Sequence, residues 1–302
     1  MADLAVSGAV GAGMSLIRRR PVTVVIWGLL LGALFFLALL LFAPMLQMIG
    51  AKVLAKDQTP PDFALLAQLQ ASSALFNIGS FFVRAVIMCA VFRAVLRPEA
   101  GAFAFMRVGI AELFMAVFLF GGGIALGFLI VLVAAPFILA VVLLAVAHNV
   151  GAAVAVGIVG VIVILVVAIW LALRLSLLGP MIVDSGEFPL GKAWALTRGK
   201  VGSLFLIGLV VTLIVFGLEV LFFGITGILG FGFLSAVPHD PESVKSFFNR
   251  PLGALVAGLA PVLVLGWLVW SVFIGAVSAI VYAPWAEAYR QLAPAREPGA
   301  IA

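Results

Sequence analysis

Two charged residues lie inside long apolar stretches of this chain, and they are its first candidates for chemistry. Arg84 and Glu219 each stand near the middle of such a stretch. A charge at the centre of a bilayer costs roughly 2.5 to 3.5 kcal/mol on insertion scales, so each side chain should face a partner or a hydrated cavity. We therefore predict that Arg84 and Glu219 form an intramembrane charge pair. A proton or ion relay is the functional alternative, although one acid and one base make a short pathway.

Other patterns that could support catalysis or metal binding are weak. The two histidines, His148 and His239, have no metal-ligand spacing around them, and Cys89 is the single cysteine. Three glycines at 121–123 lie in an apolar stretch without the lysine that a phosphate-binding loop requires. The sequence therefore predicts no enzyme, no metal site and no cofactor.

The elements that must position Arg84 and Glu219 are six long apolar stretches. Hydrophobic residues make up 66% of the chain and charged residues 10%, which is unlike a soluble domain. About 20 apolar residues cross a bilayer core, and their backbone amides must pair within the segment, as they do in a helix. We predict an all-α polytopic membrane protein, a single domain over residues 1–302 with six transmembrane helices. The stretches cover residues 21–49, 72–96, 108–147, 151–183, 201–237 and 252–289.

Basic residues are concentrated on one side of this arrangement. Twelve lie at the termini and in the two connections on the same side, and the opposite loops carry four, which are Lys52, Lys56, Lys245 and Arg250. The positive-inside bias therefore predicts that both termini lie in the cytoplasm. The net charge of +5 then reflects orientation, because no basic face with interleaved aromatic residues indicates nucleic acid.

The basic residues near the predicted cytoplasmic boundary are candidates for contact with lipid head groups. Long basic side chains extend toward the interface and attract anionic lipid. We expect Glu112, about one turn inside the third stretch, to cap the helix or pair locally near Arg107. The predicted head-group contacts are Arg18, Arg19, Arg20, Arg93, Arg97, Arg107, Arg174, Arg198 and Lys200.

A spacing between arginines indicates an internal repeat. Short segments end in Arg18, Arg107 and Arg198 before the first, third and fifth stretches, and these arginines are 89 and 91 residues apart (107 − 18 and 198 − 107). We predict three copies of a surface helix followed by a transmembrane hairpin. The alternative is that any multi-span protein has arginines at its cytoplasmic boundaries. The predicted copies cover residues 5–98, 101–183 and 189–294.

Glycines in the long stretches allow two interpretations. A discontinuous helix could line a substrate site, as in secondary transporters. Small residues at a spacing of four could instead let helix backbones approach closely, as for Gly28 with Gly32 and Gly123 with Gly127. We favour close packing. In the outer loops, residues 59–62 and 240–243 carry patterns typical of helix starts.

Four segments at the cytoplasmic boundary carry a resemblance to a known family. They read FRAVLRPE at 92–99, FMRVGIAE at 105–112, ALRLSLLGP at 172–180 and WALTRG at 194–199. With the repeated order of surface segment and hairpin, the chain resembles, over residues 7–294, bacterial proteins with the glycerophosphoryl diester phosphodiesterase membrane domain. In fused members a separate soluble domain carries the phosphodiester chemistry. The resemblance implies a stand-alone membrane domain without the acidic-histidine metal site.

These observations favour a non-catalytic membrane protein that binds or organises lipids, chiefly anionic ones, or partner proteins. A protein partner and a homo-oligomer are both left open. The alternative is a transporter or channel for a small or lipid-like solute, using the region around Arg84 and Glu219. A polar cavity reaching Glu219 would favour transport, whereas a close-packed bundle with lipid at the arginines would favour the first function.

Overall fold

The computed structural model describes residues 4–55, 63–99, 101–235 and 252–293, and these residues form helices without any strand. The predicted helix starts at 59–62 and 240–243 lie outside the described residues. The helices are α1 (Val6–Arg19), α2 (Pro21–Ala55), α3 (Phe63–Leu96), α4 (Ile110–Val146), α5 (Val150–Leu175), α6 (Leu178–Ser185), α7 (Leu190–Leu196), α8 (Val201–Ser235) and α9 (Leu252–Leu292), with a 3₁₀ turn at Ala102–Phe105.

Within the described residues, six helical segments are long and apolar enough to cross a membrane, which confirms the predicted all-α polytopic fold. A helix that is apolar on every side suits a lipid surrounding. In α4, for example, Phe128, Leu132 and Leu139 are all more than half exposed. The candidate spans are Pro21–Phe42, Leu69–Leu96, Phe103–Val146, Val150–Ser185, Val201–Ile228 and Ala260–Leu292.

The chain folds into two compact units, each built from separate parts of the sequence. Unit 1 comprises Met1–Ala12, Ala85–Leu209 and Tyr282–Ala302, and unit 2 comprises Gly13–Arg84 and Val210–Val281, each as far as it is described. The boundaries fall inside α1, α3, α8 and α9, so these helices contribute residues to both units. The three repeats predicted at 5–98, 101–183 and 189–294 follow other boundaries and stay a prediction.

The core of unit 1 surrounds the short helix α6. Phe92 of α3 and Met115 of α4 pack in one buried cluster with Leu178 and Ile182 of α6. A turn at residues 176–177 separates α5 from α6, so the stretch predicted at 151–183 is two helices. Helix α6 ends at Gly186, whose left-handed φ of 70° lets its N–H donate to the carbonyl oxygen of Ile182 at 2.8 Å.

Unit 2 contains a close crossing of α2 and α9. A Cβ atom added at Gly28 would overlap the carbonyl oxygen of Ser271, and one added at Gly275 would overlap the carbonyl oxygen of Val24. A Cβ atom at Gly32 would overlap the hydroxyl of Ser271. Small residues four apart on each helix therefore bring the two backbones together. This confirms close packing at Gly28 and Gly32.

The second predicted glycine pair does not pack in this way. Cβ atoms added at Gly123 and Gly127 would meet nothing within 4 Å, so close packing at that pair was a wrong prediction. Helix α4 nevertheless runs without interruption from Ile110 to Val146 and includes Pro136. It is therefore not the discontinuous helix of the transporter interpretation.

Candidate functional site

The most deeply buried charges in unit 1 belong to Arg93 and Glu112. The Nη2 of Arg93, near the end of α3, contacts the Oε1 of Glu112, in the first turn of α4, and these side chains are only 10% and 1% exposed. The prediction that Arg93 contacts a lipid head group is therefore wrong, because its guanidinium turns inward to an acid. Glu112 does pair near the boundary, but with Arg93 of the neighbouring helix and not with the exposed Arg107.

The same arginine holds an unusual turn between the two helices. Phe103, Ala104 and Phe105 have φ values of 49°, 55° and 62°, so three consecutive residues with side chains adopt left-handed backbone conformations. Such conformations cost roughly 1 to 2 kcal/mol per residue. The Nη1 of Arg93 donates to the carbonyl oxygen of the fully buried Phe105 at 3.2 Å. Arg93 therefore positions an acid and a strained turn at once.

Arg97, one turn beyond Arg93, has a different environment. Its Nη2 donates to the carbonyl oxygen of Asp184 at 2.9 Å and lies 3.7 Å from the Asp184 carboxylate. The hydroxyl of Tyr289 donates to the other carboxylate oxygen at 2.9 Å. The Arg97 side chain remains 45% exposed, so it can still reach a lipid, although Asp184 partly neutralises its charge.

Arg174, near the end of α5, lies over the rings of two tryptophans that also contact each other edge to face, with ring centres 5.3 Å apart. Its guanidinium carbon is 5.6 Å from the centre of the Trp170 ring and 5.1 Å from that of Trp194. Its Nη1 donates to the carbonyl oxygen of Trp194 at 3.4 Å. The buried Nε has no hydrogen-bond partner within the described part of the chain. The two indole faces stabilise this cation at the place where α5 meets α7.

The remaining predicted head-group contacts lie before the long helices. Arg18 and Arg19 end α1 just before α2, Arg107 precedes α4, and Arg198 precedes α8; all four side chains are exposed. Arg20 and Lys200 are half-buried and have interactions of their own. Contact of these residues with lipid stays a prediction.

Arg84 and Glu219, the predicted charge pair, are both exposed residues of unit 2. Among the ion pairs of the described residues, within a 4.0 Å limit, none joins the two. The structure therefore does not bring them together, and their pairing stays a prediction. No contact among the described residues supports the transporter alternative, which depends on Arg84 and Glu219.

Sequence reasoning also missed residues that surround Arg97 and Arg174. Asp184 meets Arg97, and Tyr289 meets Asp184, only through tertiary folding, 87 and 105 residues apart respectively, so no local pattern indicated them. Trp170 could have been found, because it precedes Arg174 by four residues and so shares its helix face. In the described ranges, His, Cys, Asp and Glu form no group of three that could hold a metal ion.

Comparison with known proteins adds no relative to this picture. No family model matches the chain, and neither does any curated protein or any solved structure.

Proposed function

We propose that this chain is a non-catalytic, multi-pass protein of a bacterial inner membrane that binds anionic lipids at its cytoplasmic face. One observation carries the proposal. The exposed arginines Arg18, Arg19, Arg107 and Arg198 all lie in the short segments that immediately precede the membrane-spanning helices α2, α4 and α8. A guanidinium beside a helix entry lies at the depth of lipid phosphates, and basic residues there attract anionic lipid.

The paired arginines support the same proposal by contrast. Glu112 neutralises the charge of Arg93, and the Nη2 of Arg290 lies 2.7 Å from the carboxylate of Glu287. The described residues contain no such ion pair for Arg107 or Arg198. Their positive charge is therefore available to a phosphate from the surrounding membrane.

Lipid selectivity measured by electron paramagnetic resonance would test this function. The protein would be reconstituted in phosphatidylcholine vesicles containing either spin-labelled phosphatidylglycerol or spin-labelled phosphatidylcholine. We expect the motionally restricted fraction to favour phosphatidylglycerol, and this preference should fall by roughly fivefold for each arginine lost in Arg107→Gln and Arg198→Gln. Arg290→Gln is the matched control, because Glu287 already neutralises that charge. Equal association of both lipids with the unmodified protein would refute the proposal.

The orientation of the protein in the membrane can be tested with introduced cysteines, because the native Cys89 is buried. Ala147 and Lys192 are both exposed. Ala147 lies just before α5, and Lys192 lies in α7, which follows α5 and the short helix α6 in the sequence. We expect a membrane-impermeant maleimide added to intact spheroplasts to label Ala147→Cys but to label Lys192→Cys only after lysis. The reverse pattern would place the arginine-rich ends outside the cell.

A further inference from the structure

Two tryptophans and one arginine of unit 1 form a corner where α7 meets the end of α5. We call Trp170, Arg174 and Trp194 the tryptophan corner. Trp170 and Trp194 are 44% and 37% exposed, so the corner is open to the surroundings of the protein. Behind it, the hydroxyl of the buried Thr197 donates toward the carbonyl oxygens of Trp194 at 3.1 Å and of Arg174 at 3.4 Å. This hydroxyl joins the two helices, so the corner is formed without a ligand.

One end of the Arg174 guanidinium is available to a ligand. Its Nη1 donates to the carbonyl oxygen of Trp194, and its Nε is buried against the protein. Its Nη2 is not one of the buried atoms, and no hydrogen bond or ion pair joins it to the residues that the structure describes. The Nη2 group is therefore accessible. A cation that is partly removed from water without a counter-charge favours an anionic acceptor.

A second arginine follows the same pair of tryptophans. Trp170 precedes Arg174 by four residues, and Trp194 precedes Arg198 by four residues. Beyond α7 the chain continues as a turn, in which the N–H of Arg198 donates to the carbonyl oxygen of Ala195 at 3.1 Å. Arg198 therefore lies about one turn beyond Trp194 on the same side of α7, and it is exposed. Two guanidinium groups thus bring positive charge to the same pair of indole rings.

The tryptophan corner lies at the depth of lipid phosphates along α5. Trp170 and Arg174 follow Val150, the first residue of α5, by 20 and 24 residues (170 − 150 and 174 − 150). At 1.5 Å per residue they are about 30 and 36 Å along the helix axis. For a bilayer core about 30 Å thick that α5 enters at Val150, Trp170 is at the far edge and Arg174 is just beyond it. Indole rings commonly lie at this interface, at the level of the lipid head groups.

From these observations we infer that the tryptophan corner binds the phosphate of one glycerophospholipid molecule in the adjacent leaflet. The Nη2 of Arg174 donates to a phosphate oxygen, Arg198 supplies a second positive charge, and the indole rings pack on the glycerol part of the lipid. The inference rests on the proposed lipid binding and narrows it to one site. Recognition here depends on the phosphodiester, which neutral and anionic glycerophospholipids share, and not on the net charge of the head group.

Fluorine NMR in detergent micelles would test this site. The protein would carry 5-fluorotryptophan, and its six tryptophan resonances would be assigned by replacing one tryptophan at a time with phenylalanine. We expect phosphatidylcholine to shift the resonances of Trp170 and Trp194 saturably. Diacylglycerol has the same chains without the phosphate and should bind about tenfold more weakly, because hydrogen bonds to charged groups are strong. Arg174→Gln should weaken phosphatidylcholine binding about tenfold, and Arg198→Gln about threefold, because an exposed charge contributes less.

The controls separate phospholipid binding from a change of fold and from binding of free phosphate. Arg290→Gln removes a boundary arginine that Glu287 already neutralises, so it should leave the affinity for phosphatidylcholine unchanged. The resonance of Trp285 in α9 shows whether each lipid-free variant keeps the fold of unit 1. Where Arg174→Gln does not keep it, Arg198→Gln decides, because Arg198 is exposed. Inorganic phosphate alone should leave both corner resonances unchanged at the concentrations at which the lipid saturates them.

Three results would overturn the inference. They are equal binding of diacylglycerol and phosphatidylcholine, an unchanged affinity in the arginine variant that keeps its fold, and equal shifts of all six resonances. In the second case, Arg174 would only hold α5 against α7. Saturation by inorganic phosphate alone would show a site for free phosphate instead of lipid. Phosphatidylcholine is zwitterionic, so a failure here leaves the preference for phosphatidylglycerol in the proposed function unaffected, and loss of that preference leaves this site unaffected.

Discussion

Arg93 and Glu112 form an ion pair buried between the end of α3 and the start of α4. Arg93 also donates to the carbonyl oxygen of Phe105, so one guanidinium joins an acid to a left-handed turn. The pair leaves neither charge free for a substrate or a lipid. Its role follows from packing, because it fixes the entry of α4 against α3 in unit 1.

Removing only the acid of this pair should destabilise the protein strongly. In Glu112→Gln the buried guanidinium of Arg93 loses its counter-charge, which typically costs about 3 to 5 kcal/mol. The double variant Arg93→Met with Glu112→Leu should recover much of that loss, because no buried charge remains. Thermal unfolding in detergent measures both effects. Glu187→Gln, at an exposed position, is the control for the acid-to-amide change and should be nearly neutral. A Glu112→Gln protein as stable as this control would contradict the role of the pair.

At the left-handed turn of residues 103–105, we predict a substitution that leaves the stability of the protein unchanged or raises it. Ala104 has φ 55° and ψ 36°, a conformation that glycine adopts without steric cost. Ala104→Gly should therefore be neutral or stabilise the protein by up to about 1 kcal/mol, whereas the β-branched side chain in Ala104→Val should destabilise it. Scanning calorimetry of the purified variants would give the order. Ala195→Gly in α7, where the backbone is helical, should cost about 0.5 to 1 kcal/mol. If Ala104→Gly cost as much as Ala195→Gly, the turn would not be left-handed.

The crossing of α2 and α9 predicts a sharp difference between two glycines of unit 2. A methyl group at Gly28 would overlap the carbonyl oxygen of Ser271, so Gly28→Ala should separate the helices and cost about 1 to 3 kcal/mol. At Gly217 of α8 an added Cβ would meet nothing within 4 Å, so Gly217→Ala should be neutral or slightly stabilising. Unfolding midpoints in a common detergent compare the two variants. Equal midpoints would show that the backbones do not touch at Gly28.

The parts of the fold that depend on local sequence were predictable. Length and hydropathy located six spans, because a bilayer imposes the same requirement on every crossing. The spacing of Gly28 and Gly32 indicated a close crossing, because small residues four apart on a helix let another backbone approach. Ser271 and Gly275 show the same spacing on α9 and complete that crossing, but a spacing alone does not identify the partner helix.

The parts that depend on tertiary contacts were not predictable from one sequence. Arg93 resembles the other boundary arginines, and only the folded chain brings it to Glu112, 19 residues away. The turn at Phe103 to Phe105 contains no glycine or asparagine, so nothing in its residue types indicated left-handed backbone. The break between α5 and α6 was missed because both segments are apolar.

Arg84 and Glu219 are both exposed in the structure, whereas the sequence predicts that they form a charge pair. A double-variant experiment distinguishes the two arrangements. The structure has no ion pair between Arg84 and Glu219, so neutralising both should cost the sum of the single effects to within about 0.5 kcal/mol. Unfolding of Arg84→Gln, Glu219→Gln and the double variant in nanodiscs completes the thermodynamic cycle. A paired arrangement would behave differently, because each single variant would leave one charge unpaired in hydrocarbon and the double variant would relieve it. A double variant clearly more stable than either single one would therefore establish the charge pair in the membrane.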